Sequence, residues 1–191
     1  VMDICSSFID GIDLLVFSDF NYGCLPQLLV NELSALARHQ GVMMAADSQS
    51  SSQVGDIARF SDMDLITPTE REARISARNH EDGLVVLAEE LQSQSLAHNI
   101  LLKIGEEGFL IHAGNSERDD WLTDRIPALN SAPRDVAGAG DSLLISCALT
   151  LACGGNIWES AAIGALAAAI QVGRVGNTPL NEEELLGELL L

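Results

Sequence analysis

Asp135-Val136-Ala137-Gly138-Ala139-Gly140-Asp141-Ser142 runs directly into the apolar stretch Leu143 to Cys153. Two glycines around an alanine, then a carboxylate, then a helix-period run, describe a loop that turns sharply into a helix N-terminus. The free N–H groups of a first helical turn, with the positive end of the helix dipole, make an anion site. Gly138 and Gly140 let the backbone approach a ligand where a Cβ would obstruct it. An aspartate in that first turn ordinarily caps the helix. Here it sits where an anion would bind, a costly place for a carboxylate unless it takes a proton. Asp141 is therefore a candidate general base in phosphoryl transfer.

With 191 residues and 47% apolar content, the chain is long and apolar enough to bury a full core as one domain. The formal charge of −18 argues against nucleic acid or an anionic membrane as partner, because both require basic surface. A nucleotide would have to arrive as a metal complex and find a local positive field. The four cysteines (Cys5, Cys24, Cys147 and Cys153) show no C-x-x-C spacing, which suggests buried thiols in a reducing cytosol. The four histidines (His39, His80, His98 and His112) lack ligand spacing and are read as structural or surface. No N-terminal signal pattern appears, so a cytoplasmic location is expected. The uncharged run from Ser142 is broken by Gly154-Gly155-Asn156 and reads as one arm of a buried helical hairpin.

Apolar runs of strand length occur at Asp13 to Ser18, Val42 to Ala46, Asp64 to Thr67, Asn99 to Lys103 and Phe109 to Ala113, with another at Trp121 to Ile126. Helical spacing occurs from Leu28 to Gln40, Glu70 to Arg78, Gly83 to Ser93, Ala139 to Cys153, Trp158 to Val172 and Glu182 to Leu190. Gly105 to Gly108 reads as a tight turn, and Ser48 to Ser52 as a polar loop. This alternation predicts an α/β fold, a mostly parallel, doubly wound sheet with helices on both faces. In that architecture ligands bind beyond the carboxyl ends of the strands. Asp19, Asp47, Thr69 with Glu72, and the Gly105 turn each lie just past a strand end, on the edge that Gly138 to Asp141 would face.

D-V-A-G-A-G-D-S resembles the D-T-x-G-A-G-D signature of the ribokinase-like (PfkB-type) carbohydrate kinases. Its valine is similar to the heptose-phosphate kinases that supply ADP-heptose synthesis. Ser18-Asp19-Phe20 looks like their S-D-Y, and Asp47 like the aspartate of their D-P-K, with Ser48 and Gln49 replacing proline and lysine. Thr67-Pro68-Thr69-Glu70-Arg71-Glu72 resembles T-P-N-x-x-E, with threonine for asparagine. Ala162 to Thr178 looks like the A-N-A-A-A helix and its V-G-K-x-G-T continuation, with Ala165 in the asparagine position. The resemblance implies a ribokinase-like, Rossmann-type three-layer fold, and residues 1–191 as one domain, its C-terminal nucleotide-binding part. The family's upstream sugar-binding part and lid have no counterpart here.

It further implies an ATP-dependent phosphotransferase acting on a hydroxyl of a sugar or sugar phosphate, with ATP and Mg²⁺ as cofactors. Asp141 would be the base, with Gly138, Ala139 and Gly140 as the anion-binding turn. Lys103, Gly105, Gly108, Asp135, Gly164 and Ala165 would line the nucleotide, and Glu72 and Asp47 would serve the metal. The chain's expected partners are a sugar or sugar phosphate and ATP, with a homodimer or the missing N-terminal segment as the protein partner. The competing reading is a non-catalytic nucleotide-binding or interaction fragment, supported by Thr69, Ala165 and the missing upstream part. A dinucleotide-dependent oxidoreductase would need G-x-G-x-x-G after the first strand, and Asp19 to Leu25 contains nothing like it.

Overall fold

The structure, a computed structural model, describes residues 7–50, 53–114 and 122–190. Cys5, Ser51, Ser52 and the Trp121 start of the sixth strand lie outside them. A six-stranded sheet runs in chain order from one edge to the other. Its strands are β1 (Leu14–Asp19), β2 (Met43–Ser48), β3 (Leu65–Ile66), β4 (Asn99–Lys103), β5 (Phe109–Ala113) and β6 (Thr123–Ile126). The first four are parallel, and β5 and β6 join them antiparallel. The helices that accompany them include α1 (Gln27–Gln40), α2 (Glu70–Ala77), α3 (Leu84–Ser95), α4 (Ala139–Ala152), α5 (Ile157–Val172) and α6 (Glu182–Leu189).

Successive side chains on a strand point to opposite faces, so each buried strand serves two cores. Met44 and Ala46 pack with Ile66, Ile100 and Leu102 beneath α1, α2 and α3. Ala45, Leu65, Leu101, Phe109 and Ile111 pack on the other side against Leu143, Leu144 and Cys147 of α4 and Ile157 and Ala161 of α5. The expected mostly parallel sheet with helices on both faces is present. The two outer layers come from consecutive blocks of chain: α1 to α3 cover one face before α4 and α5 cover the other.

Local chemistry sets the ends of these elements. Gly41, at φ 72°, closes α1 by donating to the carbonyls of Ala37 and Arg38. Thr69 and Glu72 form a capping box at the start of α2, and Asn156 and Glu159 form another at α5. Three local features depart from the sequence reading. β3 holds only two residues, because Pro68 has no N–H to continue the ladder. A 3₁₀ turn at Ile57–Arg59, capped by Asp56, was not anticipated. Ser48 and Ser50, read as part of a polar loop, are buried. They are covered because Asn21 Nδ2 donates to Ser48 Oγ and the Ser50 N–H donates to Glu72.

Among the described residues, the expectation that the thiols are buried holds for Cys147 alone. Cys24 and Cys153 are exposed, since Cys153 lies just past the end of α4 and Cys24 in the loop before α1. Helix α4 also leaves Ile145 and Leu149 at the surface. No helix among the described residues is long and apolar enough to cross a membrane.

Candidate phosphate-binding site

The loop before α4 turns into the helix at Gly138, which adopts the left-handed conformation (φ 77°). A Cβ there would be strained by the positive φ and would have to displace the Asn177 side chain, so the backbone conformation calls for glycine. The first intrahelical bond runs from Ser142 N–H to Gly138 C=O, at 2.9 Å. The amides of Gly140 and Asp141 donate to nothing among the described residues. The Asp141 side chain is half-buried and likewise has no hydrogen-bond or ion-pair partner among them. Two unspent N–H groups therefore lie beside an unspent carboxylate at the positive end of a 14-residue helix.

The positive field that an acidic chain must supply locally comes from Lys103, at the end of β4. A Cβ built on Gly140 would stand 3.3 Å from its Nζ, so the ammonium lies directly against the turn. The same ammonium donates to both oxygens of Asp47 at the end of β2, at 3.1 and 3.2 Å. Asp47 is 2% exposed and also accepts from Thr67 Oγ1. Burial pushes its carboxyl above the ordinary carboxylate range, against the pull of Lys103, and Glu72 adds to the push.

Of the residues expected here, Asp47, Lys103 and the Gly138 to Asp141 turn converge, with Glu72 close enough to influence Asp47. Glu72 is buried, and both its oxygens are engaged: Oε1 accepts from Ser50 N–H at 2.8 Å and Oε2 from Thr69 N–H at 2.7 Å. The oxygens of both carboxylates already accept hydrogen bonds, and no group of three or more metal-ligating side chains occurs among the described residues. This donor set falls short of a metal cage built from protein side chains alone.

The remaining candidates serve other contacts. Asp135 accepts from the Ala137 N–H through Oδ1 and from the Gly176 N–H through Oδ2, which holds its carboxyl below the usual range. Gly105 (φ 65°) has open space around it. At Gly108 a Cβ would strike the backbone of Ile126 to Ala128, so that glycine lets the strand exit pass. Gly164 faces Cys147 and Leu143 across the α4–α5 contact, and Ala165 is buried in the same core. These last two set helix spacing and present no open face.

Three polar partners escaped the sequence reading. Arg59 reaches back to Asp19 at 2.6 Å while stacking over Phe60, so the β1-end carboxylate is tied down. Asn177 lies against Gly138. Gln171 donates to the Ala137 carbonyl. The signal for Asp19 and Arg59 is absent locally, since forty residues separate them.

The pfkB family carbohydrate kinase model matches residues 5–184, nearly the whole chain. The chain belongs to the pfkB family of carbohydrate kinases. It is 31% identical over 187 residues to the bifunctional protein HldE of Shewanella baltica, covering 97% of this chain and 37% of that protein. The HldE protein of Geotalea uraniireducens is 27% identical over 192 residues, again with 37% of its length covered. The chain thus spans well under half the length of these relatives. Among solved structures, ribokinase of Arabidopsis thaliana complexed with ribose and ATP superposes with a TM-score of 0.80 at 16% identity, over 99% of this chain and 59% of that one. Ribokinase of Thermotoga maritima gives 0.77 at 21% identity, over 97% and 59%. The ribokinase-like fold expected from the sequence is therefore present.

Proposed function

We propose that this chain is the C-terminal, nucleotide-binding part of an ATP-dependent kinase that phosphorylates a hydroxyl of a sugar or sugar phosphate, of the heptose-phosphate-kinase kind. One observation carries the reading. Among the described residues the Asp141 carboxylate is unpartnered, beside the unpaired amides of Gly140 and Asp141, with the Lys103 ammonium against the same turn. In the reaction the acceptor O–H gives its proton to Asp141 as its oxygen forms a bond to the γ-phosphorus. The bond from that phosphorus to the bridging oxygen breaks, and ADP departs. The free amides and Lys103 offset negative charge on the phosphoryl oxygens, where preorganised donors are most effective.

Magnesium would accompany the nucleotide rather than occupy a protein cage, because the described residues contain no group of three or more metal-ligating side chains. The resemblance of the Asp135 to Ser142 run and of Ser18-Asp19-Phe20 to the heptose-phosphate kinases supports a heptose phosphate as acceptor. The engaged carboxylates favour the second reading, a fragment that binds nucleotide without turnover. Calorimetric titration with Mg·ATP, followed by a transfer assay over sugars and sugar phosphates, separates the two. Binding with transfer supports the kinase, binding without transfer supports the fragment, and absence of both refutes each.

A further inference from the structure

We propose that Gln171 is a positioning residue that keeps the anion-binding turn open by holding the Ala137 carbonyl away from the α4 amides; the catalytic consequence rests on the kinase reading above. In an uninterrupted helix the Asp141 N–H would donate to the carbonyl four residues earlier, that of Ala137. Gly138, at φ 77°, takes the chain out of helical register, so no such bond forms and the Asp141 N–H is left for an anion. Gln171 Nε2 donates to the Ala137 carbonyl at 3.0 Å and to the Gly176 carbonyl at 3.3 Å, which holds the Ala137 carbonyl in its turned-out position.

Gln171 sits in the last turn of α5, 1% exposed, and its other end is equally committed. Its Oε1 accepts from Arg174 Nε at 3.1 Å and Nη2 at 2.7 Å. Arg174 in turn bonds the Thr178 carbonyl and pairs with Glu184 in α6. A buried amide whose donor and acceptor sides are both satisfied has one low-energy orientation, because flipping it would set like groups together. The bonds from Arg134 and Asp135 N–H to the Val172 carbonyl, and from Gly176 N–H to Asp135, bind the two loops on either side of this amide. Gln171 therefore fixes the carbonyl that borders Gly138.

Two substitutions in the full chain test this. Gln171→Leu fills similar space with no donor. Gln171→Glu keeps an acceptor for Arg174 but turns an oxygen toward the two carbonyls. Amide exchange by NMR is read at Ala137, Ala139 and Ser142, which are bonded in the turn, and at β4 as a control. Exchange at the turn should quicken by about tenfold in both variants with β4 unchanged. Acidification should return Gln171→Glu toward wild type, as a protonated carboxyl regains a donor, and leave Gln171→Leu altered. In the transfer assay kcat should fall by about 10²-fold with the ATP Kd within about twofold. Unchanged exchange at the turn, or a rise spread equally over β4, would overturn the positioning role. A wild-type chain that neither binds Mg·ATP nor transfers phosphate sinks the kinase reading alone, and the exchange measurement still decides this one.

Discussion

Lys103 Nζ bridges both carboxylate oxygens of Asp47, 56 residues earlier in the chain, while lying against Gly140. The pair joins the ends of β2 and β4 and delivers a cation to the phosphate turn. Asp47 is too deeply buried to be left alone. Lys103→Met should destabilise the fold by about 3–5 kcal/mol, the usual cost of a buried charge stripped of its partner. Adding Asp47→Asn should recover most of that loss in urea unfolding, yet leave the KM for ATP raised. A double variant no more stable than Lys103→Met would show that the pair does not act as a unit.

The Asp141 side chain makes no hydrogen bond or ion pair among the described residues, so beyond its favourable place at the helix N-terminus its replacement should report on chemistry. For Asp141→Asn we expect turnover to drop by about 10²–10⁴ while ATP affinity is nearly unchanged, the range usual for a lost general base. An unaltered kcat in an active enzyme would remove Asp141 from the mechanism.

His112 is 3% exposed, with Nδ1 against Thr123 and Nε2 against Gln92. Burial holds its imidazole below the ordinary 6.5, with Glu89 pulling the other way. Between the lowered value and 6.5 the unfolded chain binds the proton and the native one does not. Stability should therefore decline as pH falls through that window and level off beneath it. Urea midpoints from about pH 7.5 to about 5.5 should show the decline in wild type and less of it in His112→Gln. Parallel curves would assign the effect elsewhere.

Gly164 lets α5 approach α4 at Cys147, whose thiol burial pushes up to about 12. Gly164→Ala should cost roughly 1–3 kcal/mol through overpacking, and Cys147→Ala in the same chain should return part of it. In native thiol titration Cys24 and Cys153 should react readily and Cys147 should stay inert, since the thiolate is the reactive form. Equal rates at Cys147 would contradict the packing described for that helix pair.

Much of this was legible along the chain because it depends on neighbours in sequence. Strand runs such as Asn99 to Lys103 match the structure, and the glycines around Ala139 announce a helix start with exposed amides. The competition for polar atoms was not legible. Glu72 reads as an available carboxylate until its oxygens are seen bonded to Ser50 and Thr69. Gln171 reads as one polar letter in an apolar helix until the fold sets it beside Ala137. Pairings of that kind are set by which elements stack, and local periodicity carries no trace of them.

The strand order has a consequence for synthesis. A nascent polypeptide leaving the ribosome can lay each new strand beside the one just made, so the sheet grows without waiting for distant partners. Its second side has no such luck: Ala45, Leu65, Leu101 and Phe109 face water until residues 139–172 have emerged. During that interval the half-made molecule exposes an oily plane, and this is the moment at which a chaperone would be of most use to it.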